Sequence, residues 1–175
     1  MTVAINLLRI SGDMRLGLIV SNSDGASLRR TFGKGSLPAV DLSLSLGTGN
    51  NQIIWEYWSP ARVLTATTTE SFDLSGVLTD AFGTTINATR LKLAVVIIHS
   101  PDGTKNLLVG PQNVSGAAQL GWGGTGSTVY QTVYDWFVLH HPWGGWTITN
   151  STADKFPVTN PTGSSITYSI LLAGI

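Results

Sequence analysis

The chain has no cysteine. That excludes a disulfide framework and any thiolate metal site. It is also poor in charge. Ten basic and ten acidic residues make up 11% of its 175 positions and cancel one another, where a soluble domain carries about 25% charged residues. With no net charge there is little long-range repulsion between copies. The polar surface must be built largely from Ser, Thr, Asn and Gly, and the composition points to a subunit that lives packed against something. No basic run exceeds Arg29–Arg30, so nucleic acid is not an expected partner. The longest apolar stretch, Leu93 to Ile98, is far short of the roughly 20 residues a membrane-crossing helix needs. The first ten residues lack the basic-then-apolar order of a secretory leader. No membrane partner is expected.

Helical periodicity is missing as well: no window of useful length repeats at i, i+3, i+4 and i+7. What the chain does have is period two. Val40, Leu42, Leu44 and Leu46 alternate with Asp41, Ser43 and Ser45, the pattern of a half-buried strand. Leu91 to Ile98 (LKLAVVII) begins alternating and ends as a β-branched run, which predicts a core strand covered on both faces. Val96, Ile98, Tyr168 and Ile170 are expected inside. Residues 2–10 and 14–20 read as strands joined by the turn cluster Ser11–Gly12–Asp13. Residues 26–35 read as an exposed loop or edge. The aromatic-dense run Ile53–Trp58 is followed by Pro60 and a second run at 61–65. Asn106–Val109 is expected to pair back on Leu91–Ile98 as a hairpin arm, and Thr128–Leu139 to form one strand. Residues 110–127, rich in glycine with Trp122 at the tip, read as a long loop.

From Gly144 onward three alternating runs are separated by Asn150–Ser151 and by Asn160–Pro161–Thr162–Gly163. Pro presets φ, Gly accepts positive φ and Asn bonds its own backbone, so both gaps are turns. The three runs are expected to form a β-meander that closes a sheet. About ten short strands at such spacing predict an all-β fold, an antiparallel β-sandwich, jelly-roll-like. A single domain is expected over 1–175, with 1–41 as less distinct N-terminal strands or an arm.

Candidate chemistry is sparse. His140 and His141 are adjacent; on a strand they would point to opposite faces, and no third metal ligand is evident. His99 is expected to cap the end of a strand. Glu56 and Glu70 are the only glutamates. Asp73 and Asp80 flank a glycine, and paired carboxylates can hydrolyse glycosides, but Asp is also an ordinary turn-former. No nucleophile, base and orienting group can be nominated together. The expectation is a protein that is not an enzyme and needs no cofactor or metal. Six tryptophans are the sharpest feature. An exposed Trp can stack on a sugar ring, anchor an interface or fill a core. Trp146, in phase with Ile148, is expected in the core. Trp55, Trp58, Trp122 and Trp143 are the candidate interface residues.

Three segments carry a resemblance: Gly47–Thr48–Gly49–Asn50–Asn51–Gln52, the segment FDLSGVLTDAFG over 72–83, and a closing pattern. That pattern is Gly145–Trp146–Thr147–Ile148–Thr149, then Ala153–Asp154–Lys155–Phe156, Thr159–Asn160 and Ile166–Thr167–Tyr168–Ser169–Ile170. Over about residues 42–175 the chain resembles small β-sandwich virion proteins of tailed bacteriophages. None of these motifs holds a catalytic residue. The resemblance implies a placement on the virion, as a capsid decoration (cement) protein with the major capsid protein as partner or as another accessory protein of the particle. The low, balanced charge and the many aromatic residues imply self-association, and the three-fold sites of a shell put a homotrimer first and a dimer as the alternative. A receptor- or carbohydrate-binding module on the virion or tail is the second expectation.

Overall fold

The computed structural model describes residues 3–11, 15–22, 27–32, 44–99, 103–110, 131–151 and 153–175, the first three segments and Gln131 by their backbone alone. The chain divides into two compact units, residues 1–54 with Ile175, and residues 55–174. In the first unit β1 (Val3–Ser11), β2 (Arg15–Asn22) and β3 (Ser27–Phe32) form a three-stranded antiparallel sheet in chain order. The first two match the strands expected there, and β3 is an edge strand among the described residues. The clean alternation expected over Val40–Leu46 shortens to β4 (Ser45–Leu46) among the described residues; 40–43 lie outside them. It pairs in parallel with β5 (Gln52–Ile53) around the Gly47–Asn51 turn.

The second unit holds β6 (Trp55–Leu64), β7 (Thr69–Asp73), β8 (Ser75–Thr79), β9 (Thr85–Asn87), β10 (Arg90–Ile98), β11 (Leu107–Val109), β12 (Gln131–Val133), β13 (Trp136–His140), β14 (Trp146–Thr147), β15 (Lys155–Thr159) and β16 (Ile166–Gly174). One sheet runs β13-β10-β16-β6, with β14 also on β10. The other runs β12-β11-β15-β7. All their pairings are antiparallel. Ala94, Val96, Ile98, Ile166, Tyr168, Ile170 and Leu172 of the first sheet share one core with Phe72, Leu107, Val109, Val133, Phe156 and Val158 of the second. The fold is an antiparallel β-sandwich. Val96, Ile98, Tyr168 and Ile170 are all buried as expected. So are Leu93, Val95, Leu171 and Ala173, at the alternate positions, so β10 and β16 are buried on both faces.

Four connections differ from the sequence reading. Asn106–Val109 does not return on Leu91–Ile98; β11 pairs with β12 and β15 in the opposite sheet. Thr128–Leu139 is not one strand. It bends at Tyr134–Asp135, and β12 and β13 belong to different sheets. The C-terminal runs are not a meander, since β14 and β16 both pair with β10 while β15 pairs with β11 and β7. Period two shows which face a residue takes, not which strand it meets. Lastly, β6 runs straight through Pro60. Pro60 and Ala61 face the single residue Ser169, which makes a β-bulge, and β6 is an edge strand among the described residues, where a missing N–H is tolerated.

Val96→Asp would place an uncompensated charge between the sheets, at a cost of about 3–5 kcal/mol. The variant is expected in inclusion bodies or as a molten species by near-UV circular dichroism. A folded, soluble Val96→Asp protein would show that β10 is not central.

Candidate functional site

The strand β13 and the turn that follows it form one side of the larger sheet. β10 pairs with β13 over Leu93–Ile97 and with β14 over Arg90–Leu91, both opposite β16. Between them the chain leaves the sheet at His141 and rejoins it at Trp146. That excursion is held from inside. The His141 N–H donates to Lys92 O at 2.8 Å, and the Gly145 N–H to His141 O at 3.0 Å. The His141 ring turns back on its own loop: Nδ1 accepts from the Gly144 N–H at 3.2 Å and the Gly145 N–H at 3.0 Å. The ring stands edge-on to Trp146, 5.2 Å between centroids. Arg90 donates from Nη1 to Gly144 O at 3.0 Å. Gly145 has φ +68°, and a Cβ there would lie 2.8 Å from Leu91 O, so only glycine fits. Trp143, at the tip of this braced turn, is 68% exposed.

The other tryptophans part company. Trp55 is 6% exposed and belongs to the core, so its ring is taken up inside the fold rather than offered to a partner. Trp58 is half-buried opposite Leu171. Trp122 lies outside the described residues. Trp146 packs, partly buried, against the core as expected. Trp136, not singled out in sequence, opens β13 and is 38% exposed; neighbouring Tyr134 is 53% exposed. Of the four candidates, the structure displays Trp143, on the same side of the sheet as Trp136.

The polar groups mostly serve the fold. Asp73 accepts the Ser75 N–H, and Asp80 accepts those of Phe82 and Thr84, so both carboxylates form turns, as their sequence context suggests. His140 and His141 diverge. His140 lies on the sheet opposite Leu93, while the His141 ring faces its own turn. Among the described residues no three His, Cys, Asp or Glu side chains converge. His99 does close its strand, donating its N–H to Thr167 O. Its ring also meets Ser169: Nε2 and Oγ are 2.6 Å apart. This nucleophile–base pair, 70 residues apart in sequence, was not legible there. Ser169 is only 3% exposed, and its Oγ accepts the Ala61 N–H of the bulge at 3.1 Å. It satisfies a kinked backbone and is closed to an external substrate.

A second unforeseen group bridges the sheets. Arg62 on β6 grips Glu70 on β7 through two hydrogen bonds, one of 3.0 Å from Nε to Oε2 and one from Nη2 to Oε1. The Tyr168 hydroxyl on β16 donates to Glu70 Oε2 at 2.5 Å. Arg62 also donates to Ser59 Oγ at 2.9 Å and lies over the Phe72 ring. Burial opposes the charge of Glu70, but the hydrogen bonds from Arg62 and Tyr168 and the Arg62 charge outweigh it and hold the carboxyl below its ordinary value. Burial, reinforced by Glu70, pushes the Tyr168 hydroxyl up. The hydrogen bond to Glu70 likewise holds the Arg62 guanidinium charged. His140 is pushed down by burial, with the charge of His141 adding to the shift. No family model, curated protein or solved structure matches the chain.

Two of the lowered groups, His140 and Glu70, set an acid limit in two stages. The folded value of each lies below its unfolded one, so the unfolded chain takes up the proton first. The stability His140 contributes is present above pH 6.5, its ordinary value, and drains as the pH falls toward the folded value. That from Glu70 is present above 4.5 and is lost below it. Urea midpoints are expected to decline below pH 6.5 and more steeply below 4.5. His140→Phe should remove the upper stage and leave the lower. An unchanged upper stage in that variant would refute the assignment.

Proposed function

We propose that this protein is a non-enzymatic structural subunit of a phage particle, a decoration (cement) protein on the capsid surface that binds the major capsid protein and stabilises the shell. The motif resemblance over 47–52, 72–83 and 145–170 supports the placement. The observation that carries the reading is Trp143, an exposed indole on a turn braced by His141, Arg90 and Gly145. A large aromatic side chain held ready loses little freedom on docking, which is how hot-spot anchors work. The charge-poor surface fits contacts that are apolar and hydrogen-bonded rather than ionic. Several copies gathered around a symmetry axis would add modest contacts through effective concentration. A homotrimer suits the three-fold sites of a shell, and a dimer is the alternative. No cofactor, nucleic acid or membrane enters this reading. The same Trp143 supports the second reading, a carbohydrate-binding module, because an exposed indole can also stack on a sugar ring.

Purified protein added to particles that lack it should bind the shell and raise the temperature at which they burst, at both low and high salt. Trp143→Ala should weaken that binding about tenfold or more while the protein stays folded. Indifference to capsids together with Trp143-dependent binding of a glycan would establish the second reading. Turnover of a glycan, peptidoglycan or ester that Asp73→Asn or Asp80→Asn abolishes would overturn both.

A further inference from the structure

The described edges of the sandwich are not treated alike. β6 carries Pro60, a bulge and Arg62. β7 carries Glu70 and Asp73. Among the described residues β12 is three residues long. Each device discourages another strand from adding on. β13 has none of them. Its five residues, Trp136–Phe137–Val138–Leu139–His140, hold no Asp, Glu, Lys, Arg or Pro. Among the described residues it pairs with β10 and nothing on its other side. Counted against the whole chain, all five residues remain half-buried or exposed, whereas β10 beside it is almost wholly buried. An apolar edge without protection is a template for strand pairing.

We propose that β13 pairs antiparallel with β13 of a second copy about a two-fold axis through Val138, joining the two larger sheets into one. Three observations select a second copy as the occupant. The first is self-complementarity: with Val138 opposite itself, Phe137 faces Leu139 and Trp136 faces His140, so no charge meets a like charge. The second is where the exposed aromatics lie. Tyr134 and Trp136 are at one end of β13 and Trp143 follows the other. An antiparallel two-fold brings the Trp143 turn of each copy to the end where the other carries Tyr134 and Trp136, so that each end of the seam carries one such aromatic group, left for the shell to meet. The third is neutrality: ten charges of each sign leave the copies no net repulsion. An isologous contact of this kind closes at two and does not propagate. It rests on the virion reading, takes the dimer alternative there in place of the homotrimer, and is tested on free protein, so its failure leaves shell binding untouched.

Sedimentation and light scattering of the free chain should give a dimer at low and high salt. Val138→Lys sets two like charges across the axis and should weaken dimerisation about tenfold or more while circular dichroism stays native. Val138→Thr, neutral and β-branched, should keep the dimer. The chain has no cysteine, so a single introduced thiol reports its own neighbour. Opposed residues of an antiparallel pair bring Cα atoms to about 4.5–5.5 Å, within disulfide range. Val138→Cys should oxidise to a covalent dimer, and Val63→Cys, exposed on β6, should not. A monomer, a trimer or an open-ended polymer of the wild-type chain would overturn the proposal. So would a dimer that survives Val138→Lys, or equal cross-linking through both thiols. Should Val138→Lys fail to fold, the cross-linking comparison decides alone.

Discussion

The pairing of β10 with β16 is the constraint on which the rest of the sandwich hangs. The two strands run antiparallel from Leu91 opposite Gly174 to Ile98 opposite Tyr168, and both are buried on both faces. A strand with no solvated face must find ladder partners for its N–H and C=O groups. β16 therefore takes β6 on its free side, and β10 takes β13 and then β14. The close of the pair demands glycine. A Cβ on Gly174 would fall 2.0 Å from Arg90 O and 2.9 Å from the Trp55 ring, so the chain ends of the two strands meet backbone to backbone.

Polar groups then hold the perimeter. Asn160 is fully buried between two loops: Nδ2 donates to Leu64 O, Thr65 O and Ser164 O at 2.9–3.1 Å, and Oδ1 accepts from the N–H and hydroxyl of Thr162. It ties the connection after β6 to the one before β16. Arg62, Glu70 and Tyr168 do the same across the sheets. Such groups are costly unless fully partnered, so they fix the geometry in which they are satisfied. The Ser59–Arg62 bulge is an example. Ala61 sits at φ +49°, which an L residue adopts only under constraint, and Ser169 supplies the acceptor for its N–H.

The same accounting separates scaffold from surface. Every His or Asp that the sequence offered for chemistry and that can be placed is engaged in a turn, a strand end or the sheet. The exposed aromatic side chains among the described residues are Trp143 on its braced turn and, at the other end of β13, Tyr134 and Trp136. The proposed function uses these side chains for contacts with other protein surfaces, between which low charge sets little repulsion.

Period two was legible without a structure. Val96, Ile98, Tyr168 and Ile170 could be assigned to the core because alternation decides the face a strand residue takes, and turn residues at Asp80 and Asn160 marked where strands stop. Strand partners could not be read. Nothing in Asn106–Val109 or Phe156–Val158 records which sheet they join, because ladder bonds use the same backbone groups in every residue. The site followed the same division. Low charge and abundant tryptophan raised the expectation of a protein that associates. That Trp55 is core and that Arg62 meets Tyr168 across 106 positions of chain depended on the register of β6 against β16; that His99 meets Ser169 depended on β10 against β16, and that Trp143 is surface on the turn between β13 and β14. Composition and periodicity determined an all-β fold with a neutral surface. Only the packing of one sheet on the other decided which aromatic side chains were left facing out.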